Sequence, residues 1–340
     1  MTSESASPVA SGTVASNENL APTAIGVGGK LVSIVAPFYN ESEGVWIFYE
    51  ALRAMASTVP DVRFEFICVD DGSRDDTLVH LLAANRLDPR FVVVELSRNF
   101  GKEAALTAGI DTACGDAVVP IDADLQDPPT LIPKMIEEWR KGAEVVLARR
   151  TDRSTDTFLK RKTAEGFYRL HNKLSTVAIP ANVGDFRLMD KVVVAALKRL
   201  PERQRFMKGL FAWVGFKAVT VDYARQPRAA GKTKFSGWKL WNFALEGITS
   251  FSTAPLKVWT YVGTICALLT LTYAAYIVIR TLIYGIDVPG YASVLVAILF
   301  FGSLQLISIG LLGEYIGRMY LESKQRPTYL VRKCHRQGTE

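Results

Sequence analysis

"AVVPIDADLQDPP", residues 117–129, sets the apolar run Ala117–Pro120 directly against three carboxylates and an amide. Such a run, followed at once by acids, reads as a buried strand that ends where a polar site begins. In an extended segment residues two apart face the same way, so Asp122, Asp124 and Gln126 are expected on one side. Two carboxylates with no basic neighbour in sequence repel each other unless a cation lies between them. Their hard oxygens suit Mg2+ or Mn2+, which keep positions open for phosphate oxygens. A turn-forming acidic loop would use the same residues; the strand in front favours the metal reading. Asp127 is separate. With Pro128 at the first helical position and an amphipathic stretch behind it, Asp127 is expected to cap a helix and to touch no ligand.

Outward from that stretch, apolar runs alternate with amphipathic ones from Leu31 to Arg149. Strands are expected at Leu31–Pro37, Phe64–Asp70, Phe91–Leu96, Ala117–Ile121 and Glu144–Ala148, with helices at Glu43–Ala56, Asp75–Asn85, Lys102–Ala113 and Thr130–Lys141. Continuous apolar strands separated by helices predict an α/β domain with a mostly parallel sheet covered on both faces. Ligands of such sheets sit beyond the carboxyl ends of the strands. The polar clusters fall there: "YNES" after the first strand, "DDGS" after the second, "DADLQD" after the fourth. Arg150–Tyr223 reads as helical around a central loop "NVGDFRLMD", with a further strand in Phe216–Tyr223.

The 340 residues leave room for about two domains. Residues 1–30, rich in Ser, Ala, Thr, Gly and Pro, have no basic leader and no long apolar core, and read as a mobile tail. Cys68, Cys114, Cys266 and Cys334 lack paired or metal-type spacing, and three dispersed histidines exclude a histidine-based metal centre. Val258–Ile279 and Tyr291–Leu312 carry no charge, and each as a helix spans roughly 33 Å, enough for a hydrocarbon core. The loop between them holds one basic residue, Arg280, whereas basic residues cluster on both outer flanks. That asymmetry places both termini and the α/β domain in the cytoplasm. Residues 235–257, with Trp238, Trp241 and Phe243 beside Lys239, read as an amphipathic juxtamembrane segment, and 313–340 as a basic cytoplasmic tail. The net charge of +6 is accounted for by these membrane flanks, so no nucleic-acid partner is expected.

Together "VAPFYNE", "VDDGSRDDT", "LSRNFGKEAALTAGI", "DADLQDPP", "GDFRLMD", "RQPRAAGKTKF", "FSTAPL" and the paired spans resemble the inverting family 2 glycosyltransferases of the GT-A fold. Most similar is the branch that makes polyprenyl-phosphate sugars, bactoprenol glucosyltransferases and dolichol-phosphate mannose synthases, from about Leu31 to Pro327. The resemblance implies a GT-A domain over residues 31–234. Its nucleotide-sugar pocket would hold Pro37, Tyr39, Glu41, Asp70, Asp71, Asp122 and Ala123, and its Mg2+ or Mn2+ site Asp122, Asp124 and Gln126. Asp185 and Asp124 are the implied catalytic residues, Asp185 as a base candidate. The phosphates of donor or acceptor would meet Arg187, Arg225, Arg228, Lys232 and Lys234. An acid that merely orders its loop by pairing with Arg187 is the competing reading of Asp185. One departure is Lys208 in "ERQRFMKGL", where relatives often carry Arg: charge is kept, bidentate geometry is lost.

The implied partners are a nucleotide-diphosphate sugar, UDP-glucose before GDP-mannose, UDP-GlcNAc or a UDP-4-amino-sugar, and polyprenyl phosphate in a bacterial inner membrane. Two spans per chain are compatible with a homo-oligomer. A processive polysaccharide synthase would bring a Q-x-x-R-W motif and more spans. A non-catalytic nucleotide sensor would not need the acidic cluster, the basic loop and the anchor together.

Overall fold

In the computed structural model, residues 29–151, 183–203, 205, 207–223, 254–284 and 290–337 are described. The expected N-terminal tail, the helical expectation for 152–182, the basic loop with Arg225, Arg228, Lys232 and Lys234, and most of the juxtamembrane segment lie outside them.

Eight strands form one sheet among the described residues: β1 (Leu31–Phe38), β2 (Arg63–Asp70), β3 (Phe91–Leu96), β4 (Ala117–Pro120), β5 (Val145–Arg150), β6 (Val183–Asp190), β7 (Ala218–Tyr223) and β8 (Val331–His335). Their order is β7-β5-β6-β4-β1-β2-β3-β8. β1, β2, β3 and β4 pair in parallel, as do β5 and β7, whereas β6 and β8 run antiparallel to their neighbours. The helices α1 (Val45–Ser57), α2 (Thr77–Leu87) and α4 (Ile132–Arg140) cover one face; α3 (Lys102–Thr112), α5 (Lys191–Lys198) and α6 (Met207–Trp213) cover the other. The period of two sorts the central strands: Val32, Ile34, Ala36 and Phe38 enter the first core and Val35 the second. α3 lies so close to the sheet that a Cβ at Gly109 would stand 2.2 Å from a methyl of Val35.

Two segments depart from the sequence expectation. "NVGDFRLMD", read as a loop, supplies β6, wedged between β4 and β5. Its Phe186 and Leu188 fill one core while Val183 and Met189 fill the other, but Asp185, Arg187 and Asp190 interrupt the apolar pattern. Of residues 313–340, read as a basic tail, those up to Ser323 continue the second long helix, and Val331–His335 return to the sheet as β8 along β3. A strand that reads Val-Arg-Lys-Cys-His is edge chemistry: backbone pairing on one side, charged side chains on the other.

The apolar runs lie in two long helices, α7 (Ala254–Tyr284) and α8 (Tyr291–Ser323), which touch each other. Two spans are expected from sequence, at Val258–Ile279 and Tyr291–Leu312; among the described residues one segment, Phe300–Ser323, is long and apolar enough to cross a membrane, and the apolar segment Tyr261–Thr270 is shorter.

Candidate active site

The register of the sheet brings the polar clusters to one edge. β1 ends with Phe38 opposite Asp70 of β2, and Val35 stands opposite Pro120 of β4, so Asp122 emerges beside the last residues of β1. β6 runs the opposite way, so its beginning, with Asp185, reaches the same edge.

The loop after β1 is tied to the loop after β2. Asn40 N donates to Ser73 Oγ at 3.0 Å, Arg74 N donates to Asn40 Oδ1 at 2.8 Å, and Glu41 N donates to Thr77 Oγ1 at 2.9 Å. Gly72 makes the turn possible: its φ is +64°, and a Cβ there would stand 2.5 Å from the backbone of Arg98. Tyr39 is exposed, so its ring is open to a flat ligand. A Cβ placed on Gly44 of the first loop would lie 4.0 Å from the Ala123 carbonyl, so the acidic loop borders the first one.

The adjacent acids Asp70 and Asp71 have different duties. Both are buried, and burial raises the pKa of both carboxyls against the hydrogen bonds that lower it. Asp71 accepts from Phe100 N at 2.7 Å and Gly101 N at 2.9 Å, which fixes the entry to α3. Asp70 accepts from Ser73 N through one oxygen, and its buried Oδ1 has no hydrogen-bond partner.

The acidic motif does not run on as an extended strand. β4 stops at Pro120, a turn forms at Ala123-Asp124, and Leu125 has φ of +52°. The alternation expected for Asp122, Asp124 and Gln126 is therefore replaced by a turn in which Asp124 Oδ1 accepts from Gln126 N at 3.2 Å. Local hydrogen bonding of this kind competes well with strand geometry. Asp127 is not a helix cap either. Pro128 holds the N-cap position of the 3-10 turn Pro129–Leu131, while the buried Asp127 accepts from the Tyr223 hydroxyl and lies 3.5 Å from the Arg150 guanidinium. It joins the ends of β5 and β7 to the acidic loop.

The cation that Asp122 lacks in sequence is supplied by the fold. Lys102, at the start of α3, places its ammonium 2.6 Å from Asp122 Oδ1 and 3.2 Å from Asp185 Oδ2. Burial disfavours the charged amine, yet Asp122 and Asp185 outweigh it and raise its pKa above the usual lysine range. For Asp185, burial acts upward, but Lys102, Lys208 and Arg187 together hold the carboxyl below its ordinary value. Asp185 Oδ1 is buried and without a partner. Beside it, Glu103 is pushed up to about 7 by burial and by the Asp185 charge, and accepts from Met207 N at 3.3 Å.

Arg187 does not pair directly with Asp185. It donates to the Gly184 carbonyl at 2.6 Å, stacks on Phe211 at 4.1 Å, and is lowered to about 10 by burial, with Asp185 acting against the shift. Of the sequence candidates, the fold thus brings Pro37, Tyr39, Glu41, Asp70, Asp122, Ala123, Asp124, Gln126, Asp185 and Arg187 to one edge, while Asp71 is saturated by backbone amides. Lys102 and Glu103 escaped the sequence reading. The first turn of a helix favours acids, so a lysine directly after Gly101 was the available signal for Lys102.

Among the described residues no group of three or more His, Cys, Asp or Glu forms a metal cage. Two carboxylates and an amide around one turn do fit a divalent ion that shares its coordination with a diphosphate.

Residues 33–197 match the family described as glycosyl transferase family 2, and residues 254–319 match the GtrB C-terminal hairpin. The chain is 55% identical over 307 residues to the SfII prophage-derived bactoprenol glucosyl transferase of Shigella flexneri, covering 90% of this chain and 98% of that protein. It is 53% identical over 304 residues to the prophage bactoprenol glucosyl transferase homolog of Escherichia coli (strain K12), with 89% and 98% covered. Among solved structures, the glucosyl-3-phosphoglycerate synthase of Mycobacterium tuberculosis, in complex with Mn2+, UDP-glucose and phosphoglyceric acid, is similar with a TM-score of 0.46 and 19% identity, over 65% of this chain and 78% of that one.

Proposed function

We infer the reaction from one premise, that this chain belongs to the family 2 glycosyl transferases and, within them, to the bactoprenol glucosyl transferases. It transfers glucose from UDP-glucose to the phosphate of undecaprenol at the cytoplasmic face of a bacterial inner membrane, with inversion at the anomeric carbon. The observation that carries this reading is the convergence of Asp122 and Asp185 on the Lys102 ammonium at the ligand-binding edge of the sheet.

In the reaction an oxygen of the acceptor phosphate forms the bond to C1 of glucose, the C1–O bond to the diphosphate breaks, and UDP departs with the electron pair. The acceptor is a phosphomonoester, largely ionised near neutral pH, and needs positioning more than deprotonation. This suits an Asp185 whose pKa is depressed: it is a poor proton acceptor and serves to orient Lys102 and the reacting groups. Asp122, Asp124 and Gln126 would hold Mg2+ or Mn2+, which supplies charge stabilisation for the departing diphosphate. Asp70, with its unpartnered oxygen, and Tyr39 are suited to the nucleoside. Arg187 and the basic loop, Arg225, Arg228, Lys232 and Lys234, are assigned to phosphates by the family resemblance.

α7 and α8 serve as a two-helix membrane anchor. Large apolar side chains such as Leu269, Leu282, Leu306 and Met319 are exposed on them, as suits helices surrounded by lipid. Because β8 follows α8 and pairs with β3, the chain re-enters the catalytic domain after the hairpin, which supports both hairpin ends lying on one side.

The test is transfer by the purified protein from labelled UDP-glucose to undecaprenyl phosphate, run beside a panel of other nucleotide sugars. Chloroform-extractable label that depends on the lipid supports the reading. A water-soluble polymer, or label accepted only from another nucleotide sugar, overturns it.

A further inference from the structure

α8 ends in a turn that local chemistry does not favour. Its last turn holds an acid, Glu322, and no basic residue, although the carbonyl end of a helix dipole favours cations. The compensation comes from a distant segment. Both carboxylate oxygens of the half-buried Glu322 accept from the backbone amide of Arg203, at 2.9 and 3.2 Å, and the Arg203 guanidinium donates to the Arg326 carbonyl at 3.0 Å. Between these two contacts Gln325 turns the chain with φ of +47°, a left-handed conformation that ends helices. The chain then meets the catalytic domain. The Tyr329 hydroxyl donates to Asp111 in the last turn of α3 at 2.8 Å, and Ser97 N donates to the Leu330 carbonyl at 2.9 Å before β8 begins. Arg203 itself stands just before α6, whose first amide, Met207 N, donates to Glu103 beside Lys102. Lys208, the next residue of α6, acts on Asp185. The end of the membrane hairpin is thus joined to both helices that bring cations to the acidic cluster, α3 through Asp111 and the approach to α6 through Arg203.

We propose that Glu322 and Arg203 are positioning residues for a substrate presented by the bilayer: their contact locks the end of the membrane hairpin to the loop before α6 and so holds the acidic cluster at one height and tilt over the lipid surface. The proposal rests on the lipid-phosphate reading and on the hairpin as anchor, and it assigns neither residue to the chemistry. A domain free to tilt on its anchor meets a membrane-bound acceptor in only a fraction of its orientations, and its apparent affinity for that acceptor falls by that fraction. An acceptor that diffuses in solution reaches the site in every orientation. The two kinds of acceptor therefore separate orientation from chemistry.

The experiment uses the full-length chain in vesicles of phosphatidylethanolamine and phosphatidylglycerol that contain undecaprenyl phosphate and, in parallel, in detergent with the short-chain geranyl phosphate. Glu322→Ala is expected to raise KM for the vesicle-borne acceptor about tenfold, the size of one charge-assisted hydrogen bond, with kcat unchanged. KM for geranyl phosphate and the binding of UDP-glucose are expected to stay as in the unaltered protein, which also shows that the variant folds. Glu322→Gln keeps an oxygen for the Arg203 amide and is expected to restore most of the vesicle KM. Hydrogen exchange at the Arg203 amide is expected to speed up in Glu322→Ala; unchanged exchange would show that the contact does not hold the loop and would overturn the proposal. Equal rises in KM for both acceptors, or a fall in kcat, would place the pair in the site itself and overturn it. An unmoved KM for the vesicle-borne acceptor would refute the positioning role while the lipid-phosphate reading stands. An unaltered protein that transfers to neither acceptor would refute that reading as well.

Discussion

Glu65, buried, and Asp185, half-buried, are carboxylates of one sheet, and the protein treats them in opposite ways. Glu65 lies in β2, facing the C-terminal tail. It accepts from Ser33 Oγ at 2.5 Å, from Cys114 N at 2.7 Å and from Arg336 at 3.1 Å, so both oxygens are engaged. Asp185, at the ligand edge, meets Lys102 through one oxygen and leaves the other buried and unpartnered. The same contrast separates Asp71, held by two amides, from its neighbour Asp70. A saturated carboxylate fastens structure; an unsaturated one costs stability and is retained where a ligand completes it.

That contrast is open to direct attack at the ligand edge. Asp122→Asn is expected to reduce transfer by about 10²–10³-fold, the range for losing one preorganised electrostatic group, together with weaker Mn2+ binding followed by paramagnetic resonance. Full activity would remove Asp122 from the site. Lys102→Met is expected to reduce kcat/KM by about 10²-fold. It should also move the acidic limb of the pH–rate profile upward, because Lys102 is a main group lowering the Asp185 pKa. An unmoved limb would detach Lys102 from Asp185.

The saturated carboxylates should respond in stability alone. Arg336→Met leaves Glu65 buried without its cation and is expected to cost about 2 kcal/mol in urea unfolding, below the 3–5 kcal/mol of a fully buried pair because Arg336 is partly exposed. Transfer per folded molecule should persist; its loss would show that the tail does more than fasten. At Glu103 the effect is expected as a slope of stability with pH. Its folded pKa, about 7, lies above the ordinary carboxyl value, so the folded state holds the proton more tightly. Stability therefore falls as pH rises from about 4.5 to 7, and Glu103→Gln should flatten the melting temperature over that window. A melting curve of unchanged pH dependence would contradict the assignment.

The carboxyl-end acids were legible because apolar runs stop abruptly at Asp70 and Pro120, and a parallel sheet puts such ends on one edge. Asp70 and Asp71 look alike in sequence, and only the approach of Phe100 and Gly101 separates them. Asp127 carried every local sign of a cap, but Arg150 and Tyr223, 23 and 96 residues away in sequence, take its carboxylate. β6 was hidden because the polar residues that serve the site interrupt the pattern that marks a strand. β8 was hidden because an edge strand needs little apolar content.

By itself, then, the order of residues settles what short-range physics controls: the alternation of buried strand and amphipathic helix, the punctuation by Gly72 and the prolines, and two apolar stretches without charge. Contacts across 20 to 271 residues settle the rest. Lys102 reaches Asp122 and Asp185, Arg336 reaches Glu65, and β6 enters between β4 and β5. A charge's partner depends on which segments the sheet brings together, and no local pattern encodes that juxtaposition.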